Sequence, residues 1–311
     1  MPLTRLHATL VAIVALGALS ISVQAQSPQI FQFAVSATDA AGKPVTDLGP
    51  DDIVMSENGV RQTVTKVEPL SVPIKLTIAV DNSPDSKTAI GHYRTGLTGF
   101  VEALPEGVEV TFITLTPQPR MVLKPSTDRA QILRAITSFG PEDGRSAFTD
   151  GIVEYSQRLE RELKDRKVAN YIPIMVIIST TGPQGTSYQP NEIAKAGNFL
   201  VARRARLNAV VMSTRTGQAI TADTINTSIQ SVVVMPLVKG TNGRYEALPV
   251  SSRVATLLPE WGKDIGTLAL RQANQVRVTV ERKQGGELQN PRIELARPGL
   301  DGAVTIDGIL P

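Results

Sequence analysis

Phe31, Phe33, Val35 and Ala37 alternate with Gln32, Ala34, Ser36 and Thr38. A period of two predicts a strand with one face covered and the other wet. Residues 39–44, DAAGKP, then read as a turn. Two further strands, over 53–56 and 62–68, are joined through Glu57-Asn58-Gly59, and Asn-Gly is the strongest short hairpin signal. So few strands cannot bury a core alone.

From residue 74 the pattern changes. Residues 74–80 form an apolar strand, and 86–104 a helix with Ile90, Tyr93, Leu97, Phe100, Val101 and Leu104 on one face. A strand over 108–115 follows, then a short helix carrying Leu133 and Ile136, capped by Ser126 or Thr127. Ile152, Tyr155, Leu159 and Leu163 place an amphipathic helix over 147–167. The run IMVII at 174–178 predicts a strand covered on both faces. Pro190 opens a helix to about 206, and 207–212 is the next strand. Residues 251–270 read as a helix carrying Val254, Leu257, Trp261, Ile265 and Leu268, with Pro259 expected to break or kink it.

The tail returns to β structure. Val276, Val278 and Val280 alternate with Arg277, Thr279 and Glu281; Gly285-Gly286 turns the chain, and 292–296 is a second strand. Strands alternating with helices imply an α/β domain. The expected fold is therefore α/β, a doubly wound, mostly parallel sheet over 72–271. It is inserted between two β-rich ends, 26–71 and 272–311, that pair into a small β-sandwich.

Composition removes several chemistries. The 311 residues contain no Cys, and His occurs only as His7 and His92, which excludes disulfides, thiolate metal sites and a His-rich zinc site. One Trp, five Tyr and seven Phe give little for base stacking. The net charge of +3 points to no polyanionic partner, so no nucleic acid is expected. Residues 1–25 carry Arg5, an apolar run over 9–23 and Val23-Gln24-Ala25, the layout of a cleaved export leader. That run of 15 residues is shorter than the ~20 a spanning helix needs, so the expected location is secreted or periplasmic, with the mature chain starting near Gln26.

Ligands of a parallel α/β sheet sit at the carboxyl ends of its strands. The segments there are Asp81-Asn82-Ser83-Pro84-Asp85-Ser86, Gly144-Arg145-Ser146-Ala147-Phe148 and Ser179-Thr180-Thr181-Gly182. Short oxygen side chains on converging loops suit a hard cation such as Mg²⁺. Other signals are weaker. Gly140-Pro-Glu-Asp-Gly144-Arg145-Ser146 lacks the spacing and the Lys of a phosphate loop, and no complete GxSxG occurs. Residues 157–167 mix charges at spacings of four, with Glu160–Lys164 and Glu162–Arg166 pairs, a solvated helix face. Arg203, Arg204 and Arg206 read as helix-end cations that complement the dipole.

On these residues the chain resembles the von Willebrand factor type A (VWA) family, and in particular exported VWA-related proteins common in acidobacteria. The resemblance runs from Phe31 to Gly299 and includes DAAGKPVTDLGPDDIVMSENGVRQTVTKVE at 39–68, GTNGRYE at 240–246 and Arg297-Pro298-Gly299. It implies a doubly wound sheet and, in many members, a metal-ion-dependent adhesion site. Carried over, that site's Asp-x-Ser-x-Ser falls on Asp81, Ser83 and Asp85, its threonine on Ser146 and its distal aspartate on Thr181. Asp85 stands where the pattern has Ser, and Thr181 where it has Asp. The resemblance thus implies candidate metal ligands Asp81, Ser83, Asp85 and Ser146, weakened so far that no cofactor is expected. The implied partner is a protein bound through Asp81, Ser83, Ser146 and Thr181. No catalytic residue is assigned. The alternatives are a structural envelope module without ligand, or a hydrolase using Ser83 or Ser86 with Lys87.

Overall fold

The computed structural model describes residues 29–164, 170–185, 189–213, 220–282 and 286–310. The expected leader, Gly285 and the expected Glu162–Arg166 pair lie wholly or partly outside these residues. The chain opens with β1 (Gln29–Thr38), β2 (Ile53–Glu57), β3 (Val60–Arg61) and β4 (Thr63–Leu70). The α/β part follows with β5 (Ile74–Val80), α1 (Ile90–Glu102), β6 (Glu109–Thr114), β7 (Arg120–Ser126), α2 (Arg129–Ser138) and α3 (Phe148–Lys164). It continues through β8 (Ile172–Thr180), α4 (Pro190–Ala202), β9 (Arg206–Met212), α5 (Ala222–Asn226), α6 (Ile229–Gly240), β10 (Tyr245–Leu248) and α7 (Val254–Ala273). The chain closes with β11 (Gln275–Arg282), β12 (Pro291–Leu295) and β13 (Asp301–Thr305).

The central sheet has the order β10-β9-β8-β5-β6-β7, and only β7 is antiparallel to its neighbour. The chain winds outward from β5 to β7, then returns to β8 on the other side of β5, so the switch in direction falls between β5 and β8. One face of the sheet, with Ile74, Leu76, Ile78 and Val80, packs on α1, α2 and α7. The other, with Ala79, Met175 and Ile177, packs on α3, α4 and α6. All nine residues of β8 are buried, as its apolar run requires.

The two ends of the chain share one antiparallel sheet, β13-β1-β11-β4, which faces a smaller sheet, β12-β2-β3. Phe33 pairs with Val278 and Phe31 with Val280, so the inward faces of β1 and β11 form the small core with Ile53 and Met55. The β2–β3 turn takes positive φ at Asn58 (49°) and Gly59 (78°), as an Asn-Gly hairpin demands.

Several expectations need correction. The outer face of β1 is not wet along its length: Ala34, Ser36 and Thr38 are buried. The end of α7 covers it, with Arg271 Nε 3.4 Å from Ser36 Oγ, and residues 306–310 cross over it. That tail segment is held by Gln272 Nε2 and Gln275 Nε2, which donate to Gly308 O at 2.9 and 2.8 Å. Arg206 and Arg204 reach the same tail, at Leu310 O (2.8 Å) and Asp307 (2.6 Å), so they tie chain segments together rather than merely facing a dipole. The cap of α2 is Asp128, which accepts from Gln131 N at 3.0 Å; the hydroxyl of Ser126 accepts the Asp128 N–H instead. Pro259 does not break α7, which runs unbroken across it. The pyrrolidine ring fills the space left by Gly99 on α1, where an added Cβ would stand 2.8 Å from Pro259 Cγ. β7, α5, α6, β10 and β13 were not foreseen from the pattern; α6 contains Pro236 and too few polar residues to show a helical period.

Candidate functional site

Four loops meet at the carboxyl edge of the central sheet. Backbone bonds join them: Asp81 N to Ile178 O, Leu115 N to Val80 O, Ala147 N to Leu115 O, and Gly185 N to Ser146 O, all between 2.8 and 2.9 Å. Asn82, fully buried, bridges the same loops, accepting from Thr116 N at 3.2 Å and donating to Gly140 O at 3.0 Å.

The Asp81 carboxylate lies across the switch between β5 and β8. Its Oδ1 accepts from Ser83 N at 2.9 Å. Its Oδ2 accepts from Thr180 Oγ1 at 2.9 Å, and from Thr180 N and Ser179 Oγ at 3.3 Å. These are neutral donors. Burial, and after it the Asp81 charge, holds the Tyr93 phenol above its ordinary value and protonated.

The structure brings the sequence-derived candidates to this edge in different states. Asp81, Ser83 and Ser146 are buried, Thr181 is partly buried, and Asp85 is exposed. Asp85 packs over Gly182, where an added Cβ would lie 2.8 Å from its Oδ2. Ser86 donates its hydroxyl to Ser83 O at 2.8 Å. His92 lies on α1, partly buried, and neither serine has a base as a hydrogen-bond partner among the described residues.

The sequence reading missed the polar groups that complete this edge. Gln184 accepts from Phe148 N at 3.2 Å, and Gln230, at the start of α6, donates to Gly182 O at 2.6 Å. Asn82 was readable, standing between two candidates; Gln230 carries no local signal. Among the described residues ten buried side-chain atoms lack a hydrogen-bond partner; six are on the segments at this edge, Tyr93 Oη, Thr114 Oγ1, Thr116 Oγ1, Ser146 Oγ, Gln184 Nε2 and Gln230 Oε1, and four lie elsewhere, Tyr155 Oη, Arg203 Nε, Gln275 Oε1 and Thr305 Oγ1. Buried polar groups are ordinarily paired, with protein or with ordered water.

The mostly parallel doubly wound sheet, with one antiparallel edge strand and helices on both faces, sets the architecture. The fold is VWA-like. No family model matches the chain, and no curated protein matches it. Among solved structures the chain is similar to a von Willebrand factor type A protein from Catenulispora acidiphila, with 12% identity over 90% of this chain and 72% of that one, TM-score 0.47. It is also similar to a manganese-loaded TRAP protein from Plasmodium vivax, with 16% identity over 75% of this chain and 82% of that one, TM-score 0.44. A third is BatB from Bacteroides thetaiotaomicron, with 12% identity over 60% of this chain and 96% of that one, TM-score 0.43. Among the described residues, no helix is long and apolar enough to cross a membrane, and no three His, Cys, Asp or Glu stand together as a metal cluster.

Proposed function

We propose that the chain is an exported, non-enzymatic VWA-type protein that binds another protein through the carboxyl edge of its central sheet, with a degenerate metal-ion-dependent adhesion site. In this reading residues 72–271 are the binding domain, and 26–71 with 272–311 form the β unit that carries it. The observation that bears most weight is that six of the ten buried side-chain atoms without a partner among the described residues lie on the segments at this edge. Export rests on the leader pattern over 1–25.

The donor set fits a divalent cation poorly. A Mg²⁺ site takes several oxygens in near-octahedral order. Here the buried carboxylate already accepts four hydrogen bonds, Thr181 brings no charge, and Asp85 faces solvent over Gly182. Losing a supporting acid commonly costs ~10–100-fold in metal affinity. The hydrolase alternative needs an activating base, and among the described residues neither Ser83 nor Ser86 has a hydrogen bond to Lys87 or to another base.

The test is capture of partners from the native envelope by the wild type and by a Ser146→Ala, Gln230→Ala double variant, each with and without a chelator. Bands lost with the variant and retained with the chelator are expected. Capture that the variant leaves unchanged would refute the edge as the binding surface. Calorimetric titration with Mg²⁺ should give weak or no binding to the wild type, and tighter binding to Thr181→Asp, Asp85→Ser. Tight binding to the wild type, unimproved in the double variant, would overturn the degenerate-site reading.

A further inference from the structure

Helix α6 is apolar on nearly every side. Val233, Val234, Leu237 and Val238 are buried against the sheet and its neighbours. Ile229, Val232 and Met235 stand in solvent, 37%, 51% and 39% exposed. The only charge on the helix is Lys239, in its last turn. The outer side of a surface helix normally carries polar residues, and a contiguous apolar stripe at spacings of three marks an interaction surface.

The stripe begins at the carboxyl edge of the central sheet. Gln230, beside Ile229, donates Nε2 to Gly182 O. That bond fixes the amide, so the buried atom left without a partner is the acceptor Oε1. Gly182 is covered in turn by the Asp85 carboxylate. Asp85 is exposed and has no ion pair or hydrogen bond among the described residues. One apolar stripe therefore leads to one carboxylate without a partner among the described residues, with a buried acceptor, Gln230 Oε1, a buried donor, Gln184 Nε2, and the Ser146 hydroxyl on the same loops.

We infer that the partner presents a lysine or arginine followed by apolar residues, the cationic head meeting Asp85 and the apolar side chains lying along Ile229, Val232 and Met235. The inference rests on the protein-binding reading above and names the chemistry of the partner. A carboxylate lacking a counter-ion favours a cation, and a guanidinium adds bidentate geometry. An acidic partner would face like charge at Asp85. Lys87 and Arg145 are also exposed on these loops, so an acidic peptide is the necessary control.

The test uses the full chain and two fluorescent peptides, each with one central charged residue among leucines and glycines, arginine in one and glutamate in the other. The arginine peptide should bind at least ten-fold more tightly by anisotropy. Asp85→Asn should abolish that preference, and Val232→Glu should weaken the arginine peptide about ten-fold; both positions are exposed, so folding is preserved. Equal binding of the peptides, binding of neither, or a preference that survives Asp85→Asn overturns the inference. So does a wild-type dimer in sedimentation that Val232→Glu dissolves, which would assign the stripe to a second copy. Edge-dependent envelope capture with the opposite charge preference would sink this inference alone; envelope capture indifferent to the Ser146→Ala, Gln230→Ala variant would sink the binding reading itself.

Discussion

Glu57 in the β unit and Asp81 at the sheet edge are both carboxylates with almost no exposure, 3% and 1%, and their surroundings differ in kind. Glu57 is closed by a guanidinium: Arg282 Nη2 lies 2.6 Å from its Oε1 and Nε 3.0 Å from its Oε2, and Gln289 N donates at 3.0 Å. The remaining Arg282 donors go to Gly286 O and Glu287 O. Every group there has an answer within the chain. Among the described residues Asp81 has only neutral donors, and hydroxyls and amides on the adjoining segments lack partners. The Glu57–Arg282 cluster is closed on itself and joins residues 225 apart in sequence. The sheet edge holds polar groups that the described residues leave without partners.

The contrast breaks most severely at Arg282. Arg282→Met leaves Glu57 buried and uncompensated, which is far costlier than losing the pair as a whole. It should lower the urea midpoint more than any single substitution at the sheet edge, and the Arg282→Met, Glu57→Met double variant should recover most of the loss. A double variant no more stable than the single one would show that the ion pair does not close the β unit.

Acid titration sharpens the same difference. The Arg282 hydrogen bonds, and after them the Gln289 N–H, hold the Glu57 carboxyl below its ordinary value of 4.5. Between the lowered value and 4.5 the unfolded chain binds a proton that the folded chain does not. Stability from this group is therefore complete above 4.5 and is lost as pH falls through the folded value. Urea midpoints measured downward from pH 5 should fall less steeply in Glu57→Gln than in the wild type; equal slopes would refute the linkage.

How much of this was legible follows from the range of each signal. The central strands read well because covered strands are written in consecutive residues: 174–178 predicted β8, and alternation around Val278 predicted β11. Asp81, Ser83 and Ser146 were reachable because ligand loops follow strand ends. α6 was not, since a helix apolar on both sides has no period to detect, and Pro236 argues against it. Gln230 and the Glu57–Arg282 pair were beyond reach for another reason. Their partners, Gly182 and each other, are set by tertiary packing at 48 and 225 residues' distance.

A smaller effect is expected at Thr180. Its hydroxyl is the nearest side-chain donor to Asp81 Oδ2, at 2.9 Å, and Thr180→Val keeps the shape while removing it. The buried carboxylate then loses one of its donors, which costs about 1–3 kcal/mol. Chemical denaturation checks this, and a change below about 0.5 kcal/mol would show that water or the remaining donors replace the hydroxyl.

The smallest effect on stability, and the sharpest test of the comparison, belongs to Ser146. Its Oγ is buried and has no hydrogen-bond partner among the described residues, so none of them repays the desolvation of that hydroxyl. Removing an unsatisfied buried group is near neutral or stabilising, unlike removing a paired one. Ser146→Ala should therefore leave stability within about 0.5 kcal/mol of the wild type or raise it, while weakening capture of the partner. If Ser146→Ala destabilises as much as Thr180→Val does, the hydroxyl serves the fold, and the edge around Asp81 is closed in the same sense as the β unit. If it is neutral for stability and costs binding, the two regions differ in kind, with the unpaired hydroxyl kept for a contact that the chain itself does not supply.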